Sequence, residues 1–99
     1  MEDMILGIED VEAITDQKVL ERIASGEAWA SIRMAAVAKI TDLDALERIA
    51  IADDWDSARN AAVEKITDLD ALGRIAVSDT SMPVRRAADR RLEALRGKT

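Results

Sequence analysis

The chain repeats itself at an interval of 26 residues, and this periodicity limits the possible fold more than any other feature of the sequence. Aligned without gaps, the first two units share 15 of 26 residues and the last two share 14, whereas unrelated segments would share about two. The first, second and third units are residues 14–39 (ITDQKVLERIASGEAWASIRMAAVAK), 40–65 (ITDLDALERIAIADDWDSARNAAVEK) and 66–91 (ITDLDALGRIAVSDTSMPVRRAADRR). Units this short cannot each bury a core alone, so we expect them to stack in chain order.

Each unit opens with a short amphipathic helix. In the second unit, Leu43 and Leu46 begin the three-to-four spacing that places side chains on one helix face, so we expect both in the core. Thr41 or Asp42 can cap the start of this helix, because either side chain can accept a hydrogen bond from a free backbone N–H group. The pattern predicts a first helix over about residues 42–52.

A second helix follows a polar step in each unit. In the second unit it is predicted over about residues 57–65, with Ala58, Ala62 and Ile66 on its inner face. The third unit carries the only proline of the chain, Pro83, at the matching first turn, where the missing N–H group costs little. Two amphipathic helix patterns separated by a few polar residues predict a helical hairpin in every unit.

The two ends of the repeat array differ from its middle. Residues 1–13 form a degenerate half-unit that we expect to cover one end, and residues 92–99 continue the last helix until Gly97 stops it. The sequence therefore predicts a single all-α domain over residues 1–99. Its predicted architecture is a short right-handed α-solenoid, or α-α superhelix, of three 26-residue helical-hairpin repeats with degenerate end caps.

Three further features recur in register with the units. The second helix of the third unit opens with Val84-Arg85-Arg86-Ala87-Ala88, and the other units carry weaker copies. An acidic residue stands six positions before the first arginine of this motif in every unit, and each unit opens with Ile-Thr-Asp. In these features residues 14–92 resemble HEAT-type repeats, particularly the short bacterial and archaeal forms that include the phycobilisome-lyase-like group.

In HEAT-type repeats the recurring acid and arginine form a ladder of hydrogen bonds between successive units. The resemblance assigns this structural role to six residues: Glu27, Arg33, Asp53, Arg59, Asp79 and Arg85. Glu27 stands where the family usually has aspartate. The family implies scaffolding and partner binding in most members, with lyase, chaperone or DNA-repair roles in some, and a shared fold does not choose among these functions.

The second helices carry an outward stripe whose equivalent positions change chemistry from unit to unit. On a wheel of about 100° per residue, Met34 and Ala38 lie opposite the core face that contains Ile32 and Ala36. The candidate partner-binding stripe consists of Met34, Ala38, Asn60, Glu64, Arg86 and Arg90. Along the units it changes from apolar, through polar and acidic, to basic. A surface that recognises a partner would vary in this way, and so would a solvated face under no constraint.

Trp29 and Trp55 occupy the same position in the first two units, immediately before the second helix, where the third unit has Ser81. We expect each tryptophan to pack against the following turn, as in a hydrophobic staple. Two neighbouring exposed tryptophans would instead form a binding hot spot. Both tryptophans are therefore also candidate partner-binding residues.

Charge is unevenly distributed along the chain. Residues 1–79 carry 8 basic and 18 acidic side chains, whereas residues 80–99 carry 6 basic and 2 acidic ones. The basic end contains an arginine cluster: Arg85, Arg86, Arg90, Arg91 and Arg96. Such a cluster suits phosphates, an acidic protein surface or the acidic part of another copy, or it serves solubility alone. The net charge of −6 disfavours nucleic acid as the partner.

Catalytic chemistry has little support in the sequence. The chain contains no histidine, cysteine or tyrosine, so the commonest general bases and several nucleophiles are absent. The paired acids Asp42 and Asp44 stand at a predicted helix start, where negative charge is favourable. The acidic run at residues 53–56 lacks the glycine and final glutamate of a calcium loop. We expect no enzymatic activity, no catalytic residues, no metal site and no cofactor.

The partner expected from these features is another protein. No stretch of the chain approaches the roughly 20 apolar residues that span a bilayer, and the start lacks the basic region of a secretory signal, so we expect a cytoplasmic location and no membrane partner. The predicted function is a non-catalytic protein–protein interaction or scaffold module, acting as a monomer or weak homo-oligomer. The alternative is a polyanion or nucleic-acid binder that uses the C-terminal arginines.

Overall fold

The computed structural model describes residues 7–26 and 29–97, and the regular secondary structure within these ranges consists of seven helices and no strand. The helices are α1 (Ile8–Glu12), α2 (Gln17–Ser25), α3 (Ala30–Lys39), α4 (Leu43–Ala52), α5 (Asp56–Val63), α6 (Leu69–Ser78) and α7 (Met82–Arg96). The prediction of an all-α chain is confirmed.

Aspartates cap the first helix of every unit. Asp16, Asp42 and Asp68 are the N-cap residues of α2, α4 and α6. In each case a side-chain oxygen accepts a hydrogen bond from the backbone N–H group two residues later, at 2.9–3.0 Å. Of the two candidate caps in the second unit, the structure uses Asp42 and not Thr41. This bond satisfies one of the N–H groups that a helix start leaves without an intrahelical partner.

The second helices differ in length. In the second unit, α5 ends at Val63, two residues before the predicted end. In the third unit, α7 continues to Arg96 with Gly97 as the C-cap residue, as expected. A Cβ atom at Gly97 would lie only 2.6 Å from the carbonyl oxygen of Glu93, so the absence of a side chain permits this close approach. Pro83 lies in the first turn of α7, also as expected.

Small apolar side chains fill the core between the helices. The three positions predicted for the inner face of the second helix are all fully buried: Ala58, Ala62 and Ile66. The prediction that Leu43 lies in the core is wrong, because this side chain is 55% exposed. Leu43 is the first residue of α4 and faces solvent, whereas the inner face of the helix begins with Ala45 and Leu46. Alanine at so many buried positions lets the helices approach closely.

Helices that follow one another in the chain pack in pairs, α2 on α3, α4 on α5 and α6 on α7. Contacts also join α1 to α3, α3 to α5 and α5 to α7, and weaker contacts join α2 to α4 and α4 to α6. The molecule measures 51 × 24 × 18 Å along its principal axes. As a result, α1 and α2 lie towards one end of the packing order, and α6 and α7 lie at the other.

None of the helices in the described ranges combines the length and the apolar character that crossing a bilayer requires.

Candidate functional site

Most of the candidate stripe faces solvent on the second helices. Met34 and Ala38 are exposed on α3, Glu64 is exposed just after the end of α5, and Arg86 and Arg90 are exposed on α7. Because α3, α5 and α7 pack side by side, these residues lie on neighbouring elements. The stripe is thus available to a partner at five of its six positions.

Asn60 is the exception. Its side chain on α5 is half-buried, and its Oδ1 atom is buried without a hydrogen-bond donor among the residues that the structure describes. A buried acceptor that loses water without gaining a partner costs about 1–3 kcal/mol. The equivalent stripe residue Met34 on α3 is exposed, although α3 also has a neighbouring helix on each side.

Glu64 and Arg90 approach each other within the stripe. Arg90 Nη2 lies 4.0 Å from Glu64 Oε2, and both side chains are mostly exposed. An ion pair this long and this solvated contributes little to stability. It does, however, place opposite charges side by side, so the acidic and basic parts of the stripe partly compensate each other.

The two tryptophans have different environments. Trp29, the N-cap residue of α3, is 81% exposed, so the staple prediction is wrong for this residue. Trp55, the N-cap residue of α5, is 38% exposed, and the guanidinium carbon of Arg33 lies 4.2 Å from its ring centroid. This is a cation–π geometry. Trp55 therefore packs against the preceding unit, while Trp29 presents its indole to solvent.

The second and third units are joined by a buried acid–arginine contact. Arg59 Nε donates to Asp79 Oδ2 at 2.9 Å, and Arg59 Nη2 donates to Asp79 Oδ1 at 3.1 Å. The two side chains are only 11% and 5% exposed. The remaining nitrogen, Arg59 Nη1, donates to the backbone oxygen of Asp53 at 2.7 Å. All three guanidinium nitrogens of Arg59 thus donate hydrogen bonds, two of them as a fork to one carboxylate. Charge-assisted bonds of this kind are stronger than neutral ones.

The first and second units are joined by other partners. Arg33 is buried, and its Nη2 atom donates to the Ser57 hydroxyl at 3.0 Å. The carboxylate of Asp53 accepts from the Ser25 hydroxyl at 2.7 Å and from the Trp55 backbone N–H at 2.9 Å. Of the other residues assigned to the ladder, Glu27 lies outside the described ranges. Arg85 donates from Nη1 to the Asp79 backbone oxygen at 2.7 Å.

The C-terminal arginines do not form one surface. Arg85 and Arg91 are half-buried, and each donates to a backbone oxygen, that of Asp79 and that of Ile66 respectively. Arg90 lies near Glu64. Arg86 and Arg96 are the members of the cluster that are exposed on α7 without such a contact to the described residues. The charge available to an external polyanion is therefore smaller than the sequence implies.

A second set of basic residues, which the sequence analysis missed, joins successive second helices. Lys65 Nζ donates to the carbonyl oxygens of Val37, Ala38 and Ile40 at 3.1, 2.7 and 2.7 Å. At the same position in the other units, Lys39 donates to the Glu12 carbonyl and Arg91 to the Ile66 carbonyl. These cations satisfy free carbonyl groups at and beyond the end of the preceding helix, where positive charge is favourable. Their recurrence at an interval of 26 residues was the available signal.

Burial affects the protonation of one member of this set. Removal from solvent lowers the pKa of the Lys65 ammonium from its usual value of 10.5, because the charged form loses hydration. The three carbonyl oxygens around Nζ partly replace that hydration. Lys65 is thus a structural cation held between units.

No group of three metal-ligating side chains occurs in residues 7–26 and 29–97. Comparison with models of protein families, with curated proteins and with solved structures finds no match to this chain. The likeness to HEAT-type repeats therefore depends on the sequence motifs alone and stays a prediction.

Proposed function

We propose that the chain is a non-catalytic protein-binding module built as a short right-handed α-solenoid of HEAT-type units. The pairing of helices within each unit and the contacts between successive second helices support this architecture. The hydrogen bonds that Arg59 and Lys65 make across the unit boundaries support it further. A module of this kind acts by presenting a rigid surface, which agrees with the lack of histidine, cysteine and tyrosine.

The surface proposed for the partner combines the stripe with the two tryptophans at the starts of α3 and α5. The exposure of Trp29 carries the proposal, because an indole that is 81% accessible in the free protein gains a large apolar contact when a partner covers it. Met34, on the same helix, adds a second exposed apolar group. Single exposed apolar residues are common, but tryptophan is enriched at the centres of interfaces.

The chemistry of the stripe defines the partner that would fit. The α3 part is apolar, since Met34 and Ala38 are exposed there, and the α7 part is basic, since Arg86 and Arg90 are exposed there. A complementary partner places an apolar group opposite α3 and acidic groups opposite α7. Arginine forks bind carboxylates well, so an acidic protein segment suits that end.

Two variants and one matched control test this surface. The tagged protein is used to capture partners from the cell in which it is expressed naturally, in high salt, with identification by mass spectrometry. The proposal expects a partner that binds the wild type and Leu43→Ala, which alters an exposed leucine on α4, but not Trp29→Ala or Met34→Glu. A set of captured proteins that is the same for all four chains would refute the proposed surface.

Polyanion binding is the second candidate and has weaker support. Three of the five clustered arginines already contact groups of the protein, which leaves Arg86 and Arg96 as the freely exposed cations. Nucleic-acid binding by so few phosphate contacts is weak and strongly dependent on salt. A gel-shift titration at low salt is expected to show no complex. A shift that Arg86→Glu with Arg90→Glu removes would favour this candidate instead.

A further inference from the structure

Arg59 has two hydrogen-bonding edges that point to different units. One edge, through Nη1, is held by the backbone oxygen of Asp53 in its own unit at 2.7 Å. The other edge, through Nε and Nη2, binds both carboxylate oxygens of Asp79 in the next unit. The first contact orients the guanidinium, and the second joins the units.

Arg85, the equivalent residue of the third unit, shows only the first half of this arrangement. Its Nη1 atom donates to the backbone oxygen of Asp79 at 2.7 Å, the same length as the corresponding bond of Arg59. Its Nε and Nη2 atoms have no acceptor among residues 7–26 and 29–97. The residues that follow the third unit extend α7 to Arg96 and do not supply the acid that Asp79 supplies to Arg59. Arg85 is thus an oriented guanidinium whose outer edge can donate hydrogen bonds to a carboxylate.

A shallow groove of about 680 Å³ lies on α6, the first helix of the same unit. Val77, one of its lining residues, is 82% exposed. The lining consists of Leu69, Asp70, Gly73, Arg74, Val77 and Ser78 on α6 and Arg96 on α7. The equivalent positions of α2 all contact the next unit: Gln17 binds the Thr41 backbone, Glu21 binds Arg48, and Ser25 binds Asp53. The groove is therefore the surface on which a following unit would lie.

The opposite end of the molecule carries the complementary charge. All the charged side chains of residues 7–13 are acidic. On α1, which contacts α3 at that end of the helix order, Glu9, Asp10 and Glu12 are exposed. Ile8 is exposed beside them. An acidic surface with an apolar residue at one end thus matches a basic surface with an apolar groove at the other.

The geometry points to head-to-tail self-association, in which the α1 end of one copy docks on the α6–α7 end of the next. In this contact a carboxylate of Glu9 or Glu12 takes the position on Arg85 that Asp79 takes on Arg59, and Ile8 covers the groove beside Val77. The two surfaces are different patches of one chain, so the contact is heterologous, and a dimer still has one unoccupied surface of each kind. Association therefore continues from dimer to longer assemblies as concentration rises.

A second copy fits this end better than a polyanion does. A phosphate chain bound at this end would leave the apolar side chains of Leu69 and Val77 uncovered. A second copy supplies both a carboxylate and an apolar side chain. This surface is separate from the stripe, so a failure here leaves the proposed partner-binding function untouched.

Sedimentation velocity of the full chain, from about 10 μM to about 1 mM, tests the association. The measurement is made at low ionic strength because salt screens the attraction between exposed opposite charges. We expect the sedimentation coefficient to rise with concentration without levelling off at a dimer. Arg85→Gln should weaken the association about ten-fold or more, because a forked charge-assisted contact is lost. Arg86→Gln, which removes the same charge one residue away, should weaken it less than about three-fold. A wild type that stays monomeric throughout, or equal effects of the two variants, overturns the proposal.

Mixing two blocked variants gives an independent test. Val77→Asp blocks the groove end at an exposed position that does not endanger the fold, and Glu9→Gln with Glu12→Gln blocks the acidic end. Each variant alone should be monomeric, with the helical circular dichroism of the wild type. An equimolar mixture retains one intact end on each chain, so it should form a 1:1 dimer and nothing larger. A mixture that remains monomeric contradicts the head-to-tail contact, as does a mixture that assembles beyond the dimer.

Discussion

The recurring acid and arginine form different contacts at the two junctions between units. The first junction joins the first and second units, and the second junction joins the second and third units. At the second junction, Arg59 holds Asp79 with two short bonds in a site that is almost closed to solvent. At the first junction, the carboxylate of Asp53 is held by the Ser25 hydroxyl and a backbone N–H group. The side-chain donor to the acid of the motif is therefore a cation at one junction and a neutral hydroxyl at the other, where the charge pair lies elsewhere, between Arg48 and Glu21.

A variable residue at the end of the first helix separates the two cases. Ser25 ends α2 and donates to Asp53, whereas the equivalent Ile51 on α4 has no donor to offer Asp79. We infer that the serine hydroxyl replaces the arginine as the side-chain donor to the acid. The repeated motif thus forms different contacts at the two junctions, and residues outside the motif take part: Ser25 binds Asp53, and Ser57 binds Arg33.

Asp79→Ala should have the largest effect on stability. Removing this carboxylate leaves the buried guanidinium of Arg59 without its charged partner, which costs about 3–5 kcal/mol. The free energy of unfolding, measured by urea denaturation, is expected to fall by that amount. A loss below about 1 kcal/mol would mean that the charge pair does not distinguish the second junction.

Asp53→Ala should cost less, about 1–3 kcal/mol, because the donors it leaves behind at the first junction are a hydroxyl and a backbone N–H group rather than a buried cation. The same urea denaturation compares it directly with Asp79→Ala. Equal losses for the two variants would remove the difference between the junctions.

Ser25→Ala should cost about 0.5–1.5 kcal/mol, the usual net contribution of one hydrogen bond. The matched control is Ile51→Ser, which places a serine at the same position before the second junction. Since Arg59 already occupies both oxygens of Asp79, this control should change the unfolding free energy by less than about 0.5 kcal/mol. A large stabilisation by Ile51→Ser would show that the second junction lacked a donor.

The smallest expected effect concerns pH and Lys65. Because burial lowers the pKa of Lys65 below 10.5, the folded protein releases this proton before the unfolded chain does as pH rises. Between the lowered folded pKa and 10.5 the unfolded chain binds more protons, so the stability of the wild type relative to Lys65→Met should increase with pH. Urea denaturation in steps up to pH 10.5 measures this difference. A difference that decreases with pH would contradict the lowered pKa.

Much of the secondary structure could be predicted from the sequence. The capping aspartates, the buried face of Ala58 and Ala62, and the stop at Gly97 follow from local rules that act within one helix. Leu43 was misplaced because a spacing of three or four residues does not say where the inner face begins when the helix is only three turns long.

The candidate site could be predicted only in part. Periodicity identified the outward positions of α3 and α7, but it did not show that the side chain of Asn60 on α5 is half-buried. The identical positions of Trp29 and Trp55 suggested one role for both. Their roles differ because Trp55 has Arg33 of a preceding unit to pack against, and contacts of this kind depend on how units are placed.

The sequence by itself determined that the described part of the chain is helical, that each unit contains two helices, and where α7 stops, because these properties depend on residues a few positions apart. Tertiary structure alone decided that Arg59 binds Asp79, that Ser25 binds Asp53, and that the outer edge of Arg85 has no acceptor in the described chain. Those contacts join residues about 20 to 30 positions apart, and their formation depends on the distance and angle at which one helix pair packs on the next.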